Sequence, residues 1–141
     1  MNRALALAAT LALVAVPTAF AASLSYEGKV RNDPGSSVSL KISRDGGVAS
    51  FRSFVARDFA IECEGNTDAQ LSRARISGSA EVNDSNRFRI EGENGKIEFT
   101  VAGKLRGKRS AKGNFTYEGP TEVDGKELDC SSGKLRWRAS R

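Results

Sequence analysis

The chain of 141 residues contains no histidine. That removes the commonest general acid/base, the commonest transition-metal ligand and every Ser-His or Cys-His nucleophile arrangement. Cysteine is limited to Cys63 and Cys130; joined to each other, they leave no thiolate for catalysis. The enzyme classes that survive both absences are run by paired carboxylates, a lysine base or a Ser-Lys pair. Beyond the first twenty-odd residues no long apolar run occurs, so no later segment is expected to cross a membrane as a helix. No internal repeat, low-complexity tract or linker divides the chain.

What is present begins with an export signal. Met1-Asn2-Arg3 is a short positive start, Ala4 to Val16 is apolar apart from Thr10, and Pro17 breaks the run. Ala19-Phe20-Ala21 has the small-x-small pattern read by a signal peptidase, which places cleavage before Ala22. Residues 1–21 are therefore expected to be a signal peptide and 22–141 a single domain, large enough for one core and too small for two. The destination is the periplasm or the cell exterior. In such an oxidising compartment two cysteines form one disulfide, Cys63–Cys130. Arg3 is the one charge in the leader, so the 22 basic residues fall to 21 in the mature chain against 17 acidic, a net +4. That excess favours weak attraction to anionic surfaces and falls short of a nucleic-acid-binding signature.

Period-2 alternation recurs in short bursts between turn residues, the pattern of antiparallel β structure. Tyr26 and Val30, then Val38, Leu40 and Ile42, take one face of the first two strands, and Asp45-Gly46 signals a hairpin. Phe51 and Phe54 stand three apart, which breaks alternation and predicts a bulge or bend. Phe59, Ile61 and Cys63 share a face. Asp68-Ala69-Gln70-Leu71 has the one helical case in the chain, a single turn. Phe88 and Ile90, then Ile97, Phe99 and Val101, form a hairpin whose Asn94-Gly95 suits a type I′ turn. Gly103 to Gly107 offers only Leu105 as an anchor. Gly113, Phe115 and Tyr117 form a strand stopped by Gly119-Pro120, residues 121–132 read as a polar connection to Cys130, and Leu135, Trp137 and Ala139 alternate in the last strand. The sum is an all-β fold: an antiparallel meander of about eight strands, closed as a small barrel or stacked as a two-sheet sandwich. The expected core is Leu40, Ile42, Phe51, Phe59, Ile61, Phe88, Ile90, Ile97, Phe99, Val101, Phe115 and Trp137.

The ending Cys130-Ser131-Ser132-Gly133-Lys134-Leu135-Arg136-Trp137-Arg138-Ala139 follows Gly103-Lys104-Leu105-Arg106-Gly107-Lys108-Arg109. It resembles small exported bacterial β proteins of unassigned function, in which a Cys-x-[Ser/Thr]-Gly-x-x-x-Trp-x-Ala segment follows a Gly-x-Leu-x-Gly-x-Arg segment. The resemblance covers roughly the last 40 residues and implies the same fold and export; it transfers no catalytic or binding residue.

Outward positions in the later half are basic. Arg87, Arg89, Arg106, Lys108, Arg109, Arg136 and Arg138 form the candidate face for an anionic partner, with Lys104, Lys112, Lys134 and Arg141 near them in sequence. The competing reading is a solvated face in which Glu91, Glu93, Glu98 and Glu118 are the cross-strand partners of these cations. The aromatics fall on the opposite face, which argues against single-stranded nucleic acid. Trp137, Tyr26 and Tyr117 read as core residues, the tyrosines with wet hydroxyls. Glu62 and Glu64 flank Cys63 and face outward, and a glycosidase pair would need two carboxylates from different strands at a separation that sequence does not show; Ser110 to Lys112 is not a Ser-x-x-Lys motif, and Asp124 to Asp129 lacks calcium-loop spacing. No cofactor or metal is implied. The expected function is a non-enzymatic envelope module, binding or structural, whose partner is an anionic glycan, lipid headgroup or protein. A barrel with a small-molecule cavity is the alternative, and a carboxylate-driven hydrolase a more distant one; the oligomeric state is left open.

Overall fold

The computed structural model describes residues 22–141, and the expected leader, residues 1–21, lies outside the described residues. Ten strands follow one another: β1 Ala22–Val30, β2 Ser37–Asp45, β3 Val48–Arg57, β4 Phe59–Cys63, β5 Thr67–Leu71, β6 Ala74–Glu81, β7 Arg87–Asn94, β8 Ile97–Arg106, β9 Ser110–Val123 and β10 Lys126–Ser140. The all-β expectation holds, with two strands beyond the eight. One extra strand is β5: Asp68–Leu71 is not a helical turn but pairs with β4 from Glu62↔Asp68 to Phe59↔Leu71. Leu71 and Ala69 lie partly buried beside Phe59 and Ile61, so packing of that edge decides the conformation. Residues 121–132 are likewise not a connection. They carry β9 and β10 around a two-residue turn, Asp124-Gly125, with φ of 51° and 78°, the positive pair a type I′ hairpin requires. Gly103 to Arg106 completes β8.

Every pairing is antiparallel, in the order β6-β3-β2-β1-β10-β9-β8-β7. Two meanders, β1–β3 and β7–β10, are thus joined where the first strand pairs the last. The end strands β6 and β7 face each other without a hydrogen-bonded ladder, and side chains close the seam. A Cβ on Gly92 would lie 2.7 Å from Ile76 Cδ1, and one on Gly78 2.8 Å from Ile90 Cδ1. The sheet is a nearly closed barrel rather than a two-sheet sandwich.

The β7–β8 hairpin forms as expected, but its turn is Gly95-Lys96, closed by Asn94↔Ile97. Gly95 at φ 64° takes the first turn position, the type II′ pattern rather than Asn-Gly in type I′. Phe51 and Phe54 are both fully buried because the β2–β3 register slips at Arg52, opposite Lys41 and Ile42. The bulge restores both rings to the inside face.

Rings fill the barrel. Phe54 lies 5.2 Å from Trp137, 5.6 Å from Phe115 and 6.2 Å from Phe99 between centroids, and Phe51 lies 5.4 Å from Phe88. Phe59 meets Phe115 edge-on at 5.0 Å, a favoured geometry for aromatic pairs. The expected core is buried with two exceptions. Ile90 and Ile97 are only half-buried: Ile90 packs against the seam, and Ile97 lines a cleft opening there. Leu135, read as inward, is also half-buried, since on its stretch β10 pairs with β9 alone; β1 begins at Trp137 and β4 takes Cys130 and Ser131.

Cys63 and Cys130 stand directly opposite on β4 and β10 and are disulfide-bonded, leaving no free cysteine. The bond spans 67 positions, for which loop closure contributes about 4 kcal/mol. It fixes the β4–β5 hairpin to β10, whose ladder with β4 consists of the cysteine pair itself and Ser131↔Glu62. Just beyond, the β9–β10 register shifts between Ser131 and Gly133, with Gly133 at φ 61°. The bulge leaves the Tyr117 amide without a carbonyl opposite, and Ser132 Oγ accepts it at 2.9 Å.

Candidate functional site

The outer face of β7 to β10 carries charge in rows set by the strand register. Arg87 stands opposite Lys104, Lys104 opposite Lys112, Lys112 opposite Arg138, and Arg138 opposite Lys29 of β1. Five strands thus each place one cation in a single line. A second row, two residues along the strands, runs Arg89, Ala102, Asn114 and Arg136. Small residues between two arginines leave a depression. Together with Arg31 on one flank and Glu81 and Asn83 on the other, these rows line an open cleft of about 640 Å³, except for Lys29, which lies outside it and donates its ammonium to the Pro34 carbonyl at 3.0 Å.

The inner row beneath explains how long side chains converge here. Phe88, Gly103, Gly113, Trp137 and Val30 are register partners. A Cβ on Gly103 would sit 2.5 Å from Phe88 Cζ and 3.0 Å from Trp137 Cζ2, so both rings lie over the glycine. A Cβ on Gly113 would strike the Ala102 carbonyl oxygen. Glycine at both central positions lets the sheet close tightly under the cleft. The Trp137 indole nitrogen is buried there without a hydrogen-bond partner.

Asn83 shapes one flank. Its Oδ1 accepts the Ser85 and Arg87 amides at 3.0 and 2.9 Å, an Asx turn that aims the start of β7.

The cations have almost no internal counter-charge. Among the described residues a single ion pair occurs, Arg89–Glu91 at 2.9 Å, and both side chains are about two-thirds exposed. Glu81 is the cleft's one carboxylate. Lys112, at the centre of the row, has its ammonium pushed below the usual lysine value of 10.5: foremost by Arg106, then by burial, then by Arg138, Lys104 and Arg87. Like charges disfavour each other's charged form.

The acids expected to neutralise this face are elsewhere. Glu93 opposes Glu98, and Glu98 opposes Glu118. Ser131 continues that line to Glu62, which opposes Asp68. Glu91 alone remains beside a cleft cation. The sheet therefore segregates its charge into a cationic row at one end and an acidic row at the other, each pairing like with like.

Of the sequence-derived candidates, Arg87, Arg89, Arg136 and Arg138 come together in the cleft. Arg106 borders it, lining an adjoining cleft of about 330 Å³ with Lys112, Arg138 and Glu27. Lys108 and Arg109 lie on the β8–β9 turn outside both clefts; their carbonyls accept the Tyr26 hydroxyl at 3.4 Å and the Arg141 amide at 2.9 Å. Lys29 and Arg31 were missed, because only register shows that β1 adjoins β10. Lys104 and Lys112 were visible as basic residues, but their alignment was not. A third cleft, of about 360 Å³, opens at the β6–β7 seam between Ile76, Ile97, Phe99, Tyr117 and Arg75. Glu62 and Glu64 line none of these clefts; Glu64 accepts the Asp129 amide at 3.3 Å. No group of three or more acidic or cysteine side chains among the described residues is placed to hold a metal ion, and no helix among them is long and apolar enough to cross a membrane. Comparison with protein-family models, with curated proteins and with solved structures gives no match to this chain.

Proposed function

We propose that the protein is an exported, non-enzymatic binding module that holds an anionic envelope component in the cleft between β7 and β10. The observation that carries this reading is the row Arg87–Lys104–Lys112–Arg138–Lys29: four successive like-charge cross-strand pairs, with no carboxylate within ion-pair distance. Like charges placed directly opposite destabilise a sheet, and a fold under no functional demand relieves this by interleaving acids, which this chain has and stacks elsewhere. Export rests on the leader and agrees with the buried disulfide, since such bonds persist in oxidising compartments. The small-molecule alternative has less support, because aromatic rings occupy the barrel interior.

The test is retention of residues 22–141 on an immobilised polyanion at increasing salt. Screening shortens the reach of exposed charges, so elution should move steeply with ionic strength. Replacing Arg87, Arg89, Arg136 and Arg138 by serine should bring elution to markedly lower salt while leaving the thermal midpoint unchanged or slightly raised, as exposed charges contribute little to stability and the cross-strand repulsion is relieved. Identical elution of wild type and quadruple variant would refute the proposal and leave a solvated face.

A further inference from the structure

We infer that the anion is a phosphate monoester, its phosphoryl group held where two clefts meet, among Arg106, Lys112 and Arg138. The inference rests on the anionic-cleft reading and adds to it the ligand's charged group and its seat. Lys112 and Arg138 are direct cross-strand partners and line both the large cleft and the adjoining one of about 330 Å³. They form the wall between the two. Beyond that wall the register sets a third row, Arg106, Ser110, Ser140 and Glu27. Its serines are short side chains among long ones, so the smaller cleft opens over them, with Arg106 on one side and the Lys112–Arg138 pair on another. Lys104 stands opposite Lys112 on the side away from Arg138. Lys112 thus has a cation to each side and another diagonal to it, and its lowered proton affinity, owed first to Arg106, shows that these charges act on one place.

Charge and donor supply favour phosphate over carboxylate. A phosphate monoester carries about −1.5 to −2 at pH 7 on three terminal oxygens, whereas a carboxylate carries a single charge on two. One carboxylate leaves most of the repulsion around Lys112 in place; a dianion offsets two of the cations. Arginine forks meet phosphate oxygens in pairs. Two such forks, an ammonium and the Ser110 and Ser140 hydroxyls offer more hydrogens than the about four acceptor positions of a carboxylate, and the third oxygen of a phosphate takes the remainder. A phosphodiester, with two free oxygens and one charge, fits no better than a carboxylate. Glu27 ends the row on β1 as the smaller cleft's one carboxylate; it lies beyond Ser140 and, among the described residues, makes no ion pair. Lys29, opposite Arg138, donates to the Pro34 carbonyl and takes no part. Toward the large cleft the organic part of the ester meets Ala102 and Asn114, where Asn114 supplies an amide donor and acceptor for hydroxyls.

The experiment is calorimetric titration of residues 22–141 with glycerol 3-phosphate at fixed ionic strength. Succinate, a dicarboxylate of equal charge, and glycerophosphoglycerol, a phosphodiester, are the comparators. The monoester should bind roughly tenfold more tightly than either. Its affinity should rise several-fold from about pH 5 to about pH 7.5, as the second phosphate proton leaves near pH 6. The chain has no histidine, so the change of charge in that window belongs to the ligand. Arg106→Gln, which alters only the smaller cleft, should weaken the monoester roughly tenfold, the loss of a hydrogen bond to a charged group. It should lower retention on an immobilised polyanion far less than the quadruple serine variant does. Glu27→Gln should tighten the monoester a few-fold by removing a like charge. An affinity unmoved by both substitutions would put the phosphate elsewhere and overturn the seat. Succinate binding as tightly as the monoester, or a flat pH profile, would overturn the phosphate, while retention on the polyanion would keep the anionic cleft standing; loss of that retention as well would sink both. Phosphatidylcholine vesicles with and without phosphatidate identify the source. Co-sedimentation with phosphatidate, reversed by glycerol 3-phosphate, makes the ligand a lipid headgroup, and binding of the soluble ester alone makes it a free phosphate ester; either result supports the monoester.

Discussion

Gly103→Ala tests whether the packing under the cleft is as tight as the geometry states. Alanine in place of a strand glycine ordinarily helps, by about 0.4–1 kcal/mol through the unfolded chain. Here the new methyl would lie 2.5 and 2.8 Å from Phe88 Cζ and Cε1 and 3.0 Å from Trp137 Cζ2. Both rings are at most 4% exposed, and neither is the free end of a flexible chain. Overpacking of this kind costs about 1–3 kcal/mol, so the clash outweighs the gain and the variant should be about 1–2 kcal/mol less stable. With an unfolding entropy of about 2.1 cal/mol/K per residue over some 120 residues, that is a fall of roughly 4–8 °C in the midpoint. Urea and thermal unfolding followed by the fluorescence of Trp137, the single tryptophan, measure it directly. Gly35→Ala is the control: its Cβ would be 3.7 Å from Asp33 Oδ1, ordinary contact, so that variant should be unchanged or slightly stabilised. Phe88→Leu should recover part of the loss at Gly103, with a coupling of about 0.5–3 kcal/mol as expected of touching residues. A Gly103→Ala protein as stable as wild type, or strict additivity with Phe88→Leu, would refute the packing argument.

Two further outcomes are expected. Cys63→Ala/Cys130→Ala should lower stability by about 4 kcal/mol, some 15 °C at the entropy used above, and intact mass after alkylation of the unreduced native protein should show no labelled thiol; a labelled cysteine, or a midpoint within a few degrees of wild type, contradicts the disulfide's role. Lys112 has its folded pKa below the unfolded value of 10.5, so the unfolded chain binds more protons between the two and stability should rise with pH through that window, the repulsion being fully present at neutral pH; NMR titration of the lysine side chains should show the Lys112 value climbing when a polyanion binds, and an unmoved titration would take Lys112 out of the site.

Those elements that depend on local chemistry could be read from the chain. Alternation located the strands around Leu40, Phe88 and Phe99, the three-residue step from Phe51 to Phe54 announced the bulge at Arg52, and Cys63 sharing a face with Phe59 and Ile61 pointed it inward. Missed features were those settled by partners distant in sequence. Thr67–Leu71 is a strand because β4 offers it an edge; residues 121–132 are part of a hairpin because β9 and β10 stay paired out to Val123↔Lys126, with β10 also meeting β4 at Cys130 and Ser131. The site failed in the same way. Period 2 put Arg87, Arg89, Arg136 and Arg138 outward, but alternation fixes only the face. Register decides which outward residue stands beside which, and it brought Lys104, Lys112 and Lys29 into line while moving Glu93, Glu98 and Glu118 away.

The same division runs through the C-terminal segment itself. Cys130 is the disulfide, Ser132 accepts the amide freed by the bulge, Gly133 takes the positive φ that makes the bulge, Trp137 packs on Phe54, and Ala139 is buried beside Gly28. In the preceding segment Gly103 makes room for Phe88 and Trp137, Leu105 is buried, and Gly107 turns the hairpin at φ 58°. Each of these residues serves the barrel. The cations occupy the positions between them: Lys104 follows Gly103, and Arg136 and Arg138 flank Trp137. Outward side chains at those positions contribute little to stability, so the barrel tolerates their replacement. It follows that a chain with the same Cys, Ser, Gly, Trp and Ala spacing but acids or neutral residues at 104, 112, 136 and 138 would fold alike and lack the cationic row. Replacing all four by glutamine here should leave the strand signal in circular dichroism intact and the midpoint unchanged or slightly raised, as the cross-strand repulsion is relieved, while polyanion binding disappears.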